Sequence, residues 1–119
     1  MKKIYHLANC TTCQRILKEL KPGKDFILQD IKIEPITEKQ LEEMKQLTGS
    51  YESLFSRIAM KFRAWKLNEK SLSEKGYRKY ILEEYTFLKR PIVIIGIKIF
   101  IGNSSKNVAA AKAEMKNKF

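Results

Sequence analysis

The spacing of hydrophobic and polar positions changes several times along the chain. Near its start, KKIYHL has strand character, and CQRILKEL then places Ile16, Leu17 and Leu20 on one helical face. A turn signal, KPGKD, separates this helix from a second strand-like run, FILQDIKI. A strand, a helix and a strand within about 30 residues predict a βαβ unit with two parallel strands.

The middle of the chain is predicted to be helical. Pro35 ends the extended run, and Thr37 and Gln40 form a capping-box pattern at the start of a helix that ends at Gly49. YESLFSRIAMKFRAWKL predicts one or two short helices, and SLSEKGYRKYILEEYTFLK predicts a further helix that starts near Ser73. The apolar side chains available for burial in the first of these two segments are Leu54, Phe55, Ile58, Met60, Phe62 and Trp65.

The last third of the chain carries the strongest β signal, RPIVIIGIKIFIG. Residues 92–95 and 97–101 are predicted to pair as a hairpin around a tight turn near Gly96. SSKNVAAAKAEMKNKF predicts a closing helix capped by Ser104 or Ser105. The order β-α-β, helical block, β-β-α predicts an α/β protein with a thioredoxin-like fold and a mixed four-stranded sheet. We expect one domain over residues 1–119, with a core of about 1–34 and 88–119 and a helical insertion over about 35–87.

The charge of the chain is strongly positive and unevenly distributed. Lys and Arg number 24 against 13 Asp and Glu, which gives a net charge of +11. From Asp30 to Glu52 there are six acids and three bases, whereas from Arg57 to Arg90 there are ten bases and four acids. A basic half attracts anions or acidic partners, although a solvated lysine-rich surface explains the pattern equally well. Aromatic residues are not interleaved with the bases, so we do not expect direct nucleic-acid binding.

The hydrophobic runs are too short to indicate a membrane protein. A bilayer span needs about 20 apolar residues, and the longest dense run, PIVIIGIKIFIG, is interrupted by Gly96 and Lys98. The N-terminal region has no signal-peptide core. We therefore expect a cytoplasmic protein with no membrane partner.

The two cysteines, Cys10 and Cys13, lie three positions apart where the first strand signal gives way to the first helix. A helix N-terminus offers unpaired N–H groups and the positive end of the helix dipole, and both favour a thiolate. An ordinary thiol has a pKa near ~8.5, and such a setting lowers it. We predict that Cys10 is the nucleophile and that Cys13 attacks the bond that Cys10 forms.

Two alternatives for the cysteines compete with this prediction. A structural zinc site needs about four ligands, whereas the chain offers two cysteines and one histidine, so no metal is expected. An inert buried pair is the second alternative, because free cysteine is often a core residue.

Four segments, YHLANCTTCQRIL, PITEKQLEEM, SRIAMKFRAWKL and KRPIVII, resemble in order and spacing the signature blocks of the arsenate reductase (ArsC-like) family and its Spx-type relatives. The resemblance covers nearly the whole chain and implies a thioredoxin-like core with a helical insertion. It further implies a thiol oxidoreductase that binds no cofactor and acts on a small oxyanion or a thiol substrate. The implied external reductant is glutathione or a protein of the thioredoxin or glutaredoxin type.

The same resemblance implies roles for individual residues. Cys10 matches the cysteine that attacks arsenate, and His6 matches the histidine that tunes that thiol. Arg57 and Arg90 match arginines that bind the oxyanion. Pro91 matches a proline that is cis in this fold family. Guanidinium groups suit an arsenate-like anion because they donate two parallel hydrogen bonds to its oxygens.

Several positions depart from the reductases that act with glutathione. Cys13 stands where those enzymes carry serine, Gln14 where they carry arginine, and Gly102 follows the last strand near the place of a third anion-binding arginine. The loss of one charge-assisted hydrogen bond from such an arginine removes about 1.5–3 kcal/mol of anion-binding free energy.

The Cys-Thr-Thr-Cys motif and the glycine resemble instead the Spx-type regulators. This resemblance implies an alternative function, a redox-sensing transcriptional regulator that binds the C-terminal domain of the RNA polymerase α subunit. In that case Cys10 and Cys13 would be sensor and resolver. A third interpretation is a protein with the family fold whose thiols no longer act.

Overall fold

The computed structural model describes residues 1–116, and its regular elements follow the predicted order. The strands are β1 (Lys2–His6), β2 (Ile27–Asp30), β3 (Ile92–Ile95) and β4 (Lys98–Ile101). The α-helices are α1 (Thr11–Leu20), α2 (Glu38–Thr48), α3 (Met60–Ala64), α4 (Glu74–Glu83) and α5 (Ser105–Lys116). Short 3₁₀ turns occupy Glu52–Leu54, Leu67–Glu69 and Tyr85–Phe87. The last residues of the predicted closing helix, 117–119, lie outside the described residues.

The chain divides into two compact units. The first comprises residues 1–34 and the chain from Arg90 onward, and the second comprises residues 35–89. That both units belong to one domain stays a prediction. Among residues 1–116, no helix combines the length and the apolar composition needed to cross a membrane.

The first unit is built on a four-stranded sheet of order β2-β1-β3-β4. Strands β1 and β2 are parallel, whereas β1 with β3 and β3 with β4 are antiparallel. The predicted mixed sheet is therefore confirmed. Gly96 turns the β3–β4 hairpin at a φ of 62°, a conformation that glycine adopts without strain. Ile97 belongs to this turn rather than to β4 and is 86% exposed.

Helices α1 and α5 pack on this sheet through small and branched apolar side chains. The residues that form this cluster are Ile4, Ile16, Leu20, Val93, Val108 and Ala111. Burying a side chain of the size of Ile or Leu contributes about 1.5–3 kcal/mol, which fixes α1 against the sheet. Since α1 starts soon after the end of β1, this packing holds the Cys10 loop at one end of the sheet.

The second unit is helical and begins with the predicted capping box. The Thr37 hydroxyl accepts from the Gln40 N–H at 3.0 Å, and the Gln40 side chain accepts from the Thr37 N–H at 3.1 Å. Ser73 caps α4 by accepting from the Gly76 N–H at 3.3 Å. Both predicted helix starts are thus confirmed.

An aromatic cluster around Phe55 forms part of the core of this second unit. The Phe55 ring centroid lies 5.0 Å from that of Tyr77, 5.1 Å from that of Phe87 and 6.0 Å from that of Phe62. Phe55 and Phe87 are both fully buried. Aromatic pairs at such separations add about 0.5–1.5 kcal/mol beyond the burial of their area.

Two predictions of buried side chains in this unit are wrong. Ile58 is 91% exposed and Met60 is 90% exposed, although both belong to the apolar set of their segment. Ile58 lies in the turn before α3, and Met60 starts this helix, which has only five residues and buries none of them. Trp65 is 39% exposed, and its ring centroid lies 5.4 Å from that of Phe87.

The second predicted strand is shorter than its sequence pattern. Strand β2 ends at Asp30, because a turn follows directly. The Asp30 carboxylate accepts from the Lys32 N–H at 3.0 Å, and its carbonyl accepts from the Glu34 N–H at 2.8 Å. Aspartate favours such local bonds over strand pairing, so Ile33 is left 81% exposed.

Candidate thiol site

Cys10 is the N-cap residue of α1. Its backbone is extended, with φ of −95° and ψ of 119°, while its carbonyl already accepts the first helical bond from the Gln14 N–H at 2.9 Å. The Cys10 N–H donates to the Leu7 carbonyl at 3.1 Å, which closes the loop after β1. The side chain is half-buried and makes no cap hydrogen bond of standard geometry. The sulfur therefore lies at a helix N-terminus and stays accessible.

The surroundings of Cys10 favour its thiolate form. Burial acts to raise the pKa of Cys10, but the backbone N–H groups of Cys13 and Thr12 lower it. The Cys13 thiol and the positive charge of Arg90 lower it further. The net result is a pKa of Cys10 below the ordinary thiol value, as expected for a nucleophile at a helix start.

Cys13 lies one turn further along α1 and behaves in the opposite way. Its side chain is only 1% exposed, and this burial is the main reason that its pKa rises to about 11. The Leu7 N–H opposes the rise, whereas the neighbouring Cys10 adds to it. The two free cysteines thus form a pair in which one sulfur ionises readily and the other keeps its proton.

Arg90 and Pro91 enter this site from the start of β3. The charge of Arg90 lowers the pKa of both Cys10 and Cys13, so the structure brings this predicted residue to the thiols. The Arg90–Pro91 peptide bond is cis, the geometry that the family resemblance implies. The Pro91 carbonyl accepts from the Gly102 N–H at 2.9 Å, which ties β3 to the end of β4.

Gln14 is a site residue whose role the sequence did not reveal. Its side-chain amide donates to the Ala8 carbonyl at 2.6 Å, which links the first turn of α1 back to the Cys10 loop. In the sequence this residue stood out only as a glutamine in the place of an arginine. The bond shows that the glutamine supports the loop.

His6 is the last residue of β1, and its carbonyl accepts from the Ile31 N–H at 2.9 Å. Its Nδ1 atom is buried and has no hydrogen-bond partner among residues 1–116. The largest influences on the pKa of Cys10 do not include His6. The tuning role of His6 therefore stays a prediction.

Arg57 belongs to the second unit, where two neighbours hold its guanidinium. Its Nη2 atom donates to Glu52 Oε2 at 2.8 Å and to the Tyr77 hydroxyl at 2.7 Å. The guanidinium carbon also lies 5.4 Å from the Tyr77 ring centroid. Glu52 and Tyr77 stand 5 and 20 residues away, so no sequence motif links them to Arg57. The role of Arg57 in oxyanion binding stays a prediction.

The chain matches the protein-family model of the ArsC family over residues 5–111. The protein belongs to the ArsC family. This membership agrees with the order of the four sequence blocks and with the Cys10 loop at the start of α1. Within the described part of the chain, no group of three or more metal-ligating side chains is found.

Several solved structures share the fold. An arsenate reductase from Vibrio cholerae is 19% identical, with a TM-score of 0.72 over 92% of this chain and 96% of its own. An arsenate reductase (ArsC) related protein from Brucella melitensis is 23% identical, with a TM-score of 0.70 over 98% of this chain and 95% of its own.

A protein from Staphylococcus aureus is 27% identical, with a TM-score of 0.74 over 92% of this chain and 97% of its own. No curated protein sequence matches the chain. These likenesses confirm the predicted thioredoxin-like fold.

Proposed function

We propose that this ArsC-family protein is a thiol oxidoreductase of the arsenate reductase type, with Cys10 as its nucleophile and Cys13 as its resolving thiol. The observation that carries the proposal is the placement of the half-buried Cys10 at the N-cap of α1 with the buried Cys13 one turn further along the helix. This placement lowers the pKa of Cys10 and raises that of Cys13 to about 11. A nucleophilic cysteine must be a thiolate. A resolving thiol that stays protonated does not compete with it for the substrate.

The proposed reaction has two steps on the protein. The Cys10 thiolate first attacks the arsenic of dihydrogen arsenate and a sulfur–arsenic bond forms, while one hydroxyl takes the proton of the other and leaves as water. Cys13 then attacks the Cys10 sulfur and its proton passes to the departing arsenic group, so that a disulfide forms and the sulfur–arsenic bond breaks. The electron pair of that bond reduces As(V) to As(III), which leaves as arsenite. An external thiol reductant, glutathione or a protein of the thioredoxin or glutaredoxin type, returns two electrons to the disulfide.

The remaining roles in this proposal belong to cationic side chains. The charge of Arg90 favours the Cys10 thiolate. From the family resemblance, Arg90 is also proposed as a donor for the oxygens of the anion. Arg57 as a second donor and His6 as a tuning residue are proposed from the family resemblance. Because the two thiols act only when reduced, we also propose that the protein works in the cytoplasm.

Arsenate reduction by the purified protein tests the proposal. Turnover is measured with glutathione plus a glutaredoxin and, separately, with a thioredoxin system, for the wild type, Cys10→Ser and Cys13→Ser. We expect Cys10→Ser to abolish turnover with both reductants and Cys13→Ser to lower it. A wild-type rate no higher than background with both reductants would remove arsenate as the substrate.

A second candidate function, a redox-regulated binding protein of the Spx type, is favoured by Gly102. Its φ of 94° is a conformation that suits glycine and disfavours the arginine that glutathione-linked reductases carry near this point. The proposed partner is the C-terminal domain of the RNA polymerase α subunit. A pull-down with that domain, using reduced and oxidised protein, tests this function, and an absence of binding in both states would end it.

A further inference from the structure

The guanidinium of Arg57 is already occupied by a carboxylate of its own unit. Glu52 Oε2 and the Tyr77 hydroxyl both accept from the same nitrogen, Nη2, at 2.8 and 2.7 Å. That nitrogen carries two hydrogens and can donate to both acceptors. The hydrogen bond that Arg57 donates to Glu52 is also the main reason that the pKa of Arg57 is raised, so the pair favours the charged guanidinium.

This occupation matters because of the shape of a guanidinium. The group binds an anion through a pair of parallel N–H bonds, here called a fork. It offers two such forks, one end-on through Nη1 and Nη2 and one side-on through Nε and Nη2. Both forks include Nη2, and in this structure Nη2 donates its hydrogen bonds to Glu52 and Tyr77. A tetrahedral oxyanion therefore has no complete fork at Arg57 until Nη2 is released.

We propose that Glu52 is the residue that sets the anion affinity of Arg57, by filling its fork with an internal carboxylate that an incoming oxyanion must displace. The inference rests on the proposed function, which assigns Arg57 to the oxyanion. Tyr77 supports the resting arrangement, since its hydroxyl accepts from Arg57 and also reaches Glu52 Oε2 at 3.5 Å. Its ring centroid lies 5.4 Å from the guanidinium carbon of Arg57, a distance at which the ring attracts the positive charge.

Displacing Glu52 from Arg57 costs little free energy because this ion pair is exposed to solvent. The side chains of Arg57 and Glu52 are 48% and 56% exposed. Exposed ion pairs contribute little free energy. Having to break the Arg57–Glu52 pair should therefore weaken the affinity for an oxyanion by no more than about fivefold. An effect of this size permits regulation of affinity without a change of fold.

Anion binding by non-reacting protein tests the inference. Binding of arsenate and of phosphate is measured by calorimetry in a Cys10→Ser background, and the Arg57 Nε–Hε signal is followed by NMR. Adding Glu52→Gln should tighten binding about threefold to fivefold, because a neutral amide holds the fork less strongly. The Arg57 signal of the anion-free protein should also shift. Tyr77→Phe keeps the ring, removes one acceptor and should give a smaller gain.

Asp25→Asn is the matched control variant. Asp25 pairs with Lys2 at 2.6 Å, and the side chains of Lys2 and Asp25 are 49% and 58% exposed, close to the values for Arg57 and Glu52. Asp25→Asn and Glu52→Gln each remove one negative charge. A general attraction of anions to a more positive chain should therefore appear equally in both variants. An affinity of Glu52→Gln that equals that of Asp25→Asn, or is weaker, would overturn the inference.

Arg57→Gln separates this failure from failure of the proposed function. If Arg57→Gln binds both anions as tightly as its parent, the proposed anion role of Arg57 is wrong and the inference falls with it. If Arg57→Gln weakens binding while Glu52→Gln matches Asp25→Asn, only the inference fails. Weaker binding by Arg57→Gln together with tighter binding by Glu52→Gln supports both.

Discussion

Selective alkylation of one of the two thiols is the prediction that follows most directly from the site. The perturbation is a pH series of iodoacetamide reactions with reduced protein. Since only the thiolate reacts, the rate at each sulfur follows its ionised fraction. The pKa of Cys10 lies below the ordinary value, whereas that of Cys13 is about 11.

The size of the difference can be estimated from these values. At about pH 8 a thiol with an ordinary pKa near ~8.5 is roughly one quarter ionised, whereas one with the pKa of Cys13, about 11, is ionised to roughly one part in a thousand. Cys13 should therefore react at least about two hundred times more slowly than an ordinary thiol, and its burial adds to the delay. Cys10, by contrast, should react faster than an ordinary thiol at neutral pH.

Mass spectrometry of proteolytic peptides measures both rates in one sample. We expect a single modification at Cys10 at neutral pH, with a midpoint below that of an ordinary thiol. Arg90→Gln should move that midpoint upward, because the positive charge that favours the thiolate is lost. Equal rates at the two sulfurs, or a Cys10 midpoint at or above that of a free thiol, would refute the reasoning.

Three further predictions concern stability. Thr37→Ala should lower the free energy of unfolding by about 1 kcal/mol in urea titrations, because one side of the capping box is lost. Phe55→Ala should cost about 3–5 kcal/mol, since it empties the centre of the aromatic cluster, whereas Ile58→Ser should change stability by less than about 0.5 kcal/mol at its 91% exposed site. In the unfolded chain the Cys13 thiol ionises above about pH 8.5, whereas in the folded chain its pKa is about 11 and it keeps its proton up to that pH. Stability should therefore fall with rising pH in this window, more steeply for the wild type than for Cys13→Ala, and equal slopes would contradict the assigned pKa.

The elements that sequence predicts well are those with local causes. The capping box at Thr37, the cap at Ser73 and the hairpin turn at Gly96 each depend on residues within a few positions of one another. The position of Cys10 at a helix start has the same origin, because the change from strand pattern to helix pattern occurs at that point. Such features do not need knowledge of the rest of the chain.

Features that depend on distant residues could not be predicted in this way. An apolar side chain such as Ile58 is exposed because it lies in a turn before a short helix that buries none of its residues, and periodicity within the segment does not reveal this. The bonds that hold Arg57 come from Glu52 and Tyr77, which no pattern connects. The raised pKa of Cys13 likewise depends on its burial, and the lowered pKa of Cys10 depends in part on Arg90, whose position follows from the pairing of β1 with β3.

A single-turnover reaction without external reductant tests the central claim most directly. Reduced wild-type protein is mixed with arsenate, and arsenite, free thiols and protein mass are measured together. The proposed pair of cysteines predicts about one arsenite per chain, with loss of both thiols to a disulfide between Cys10 and Cys13, and no arsenite from Cys10→Ser. Arsenite formation without that disulfide, or no arsenite while both thiols remain free, would contradict the account.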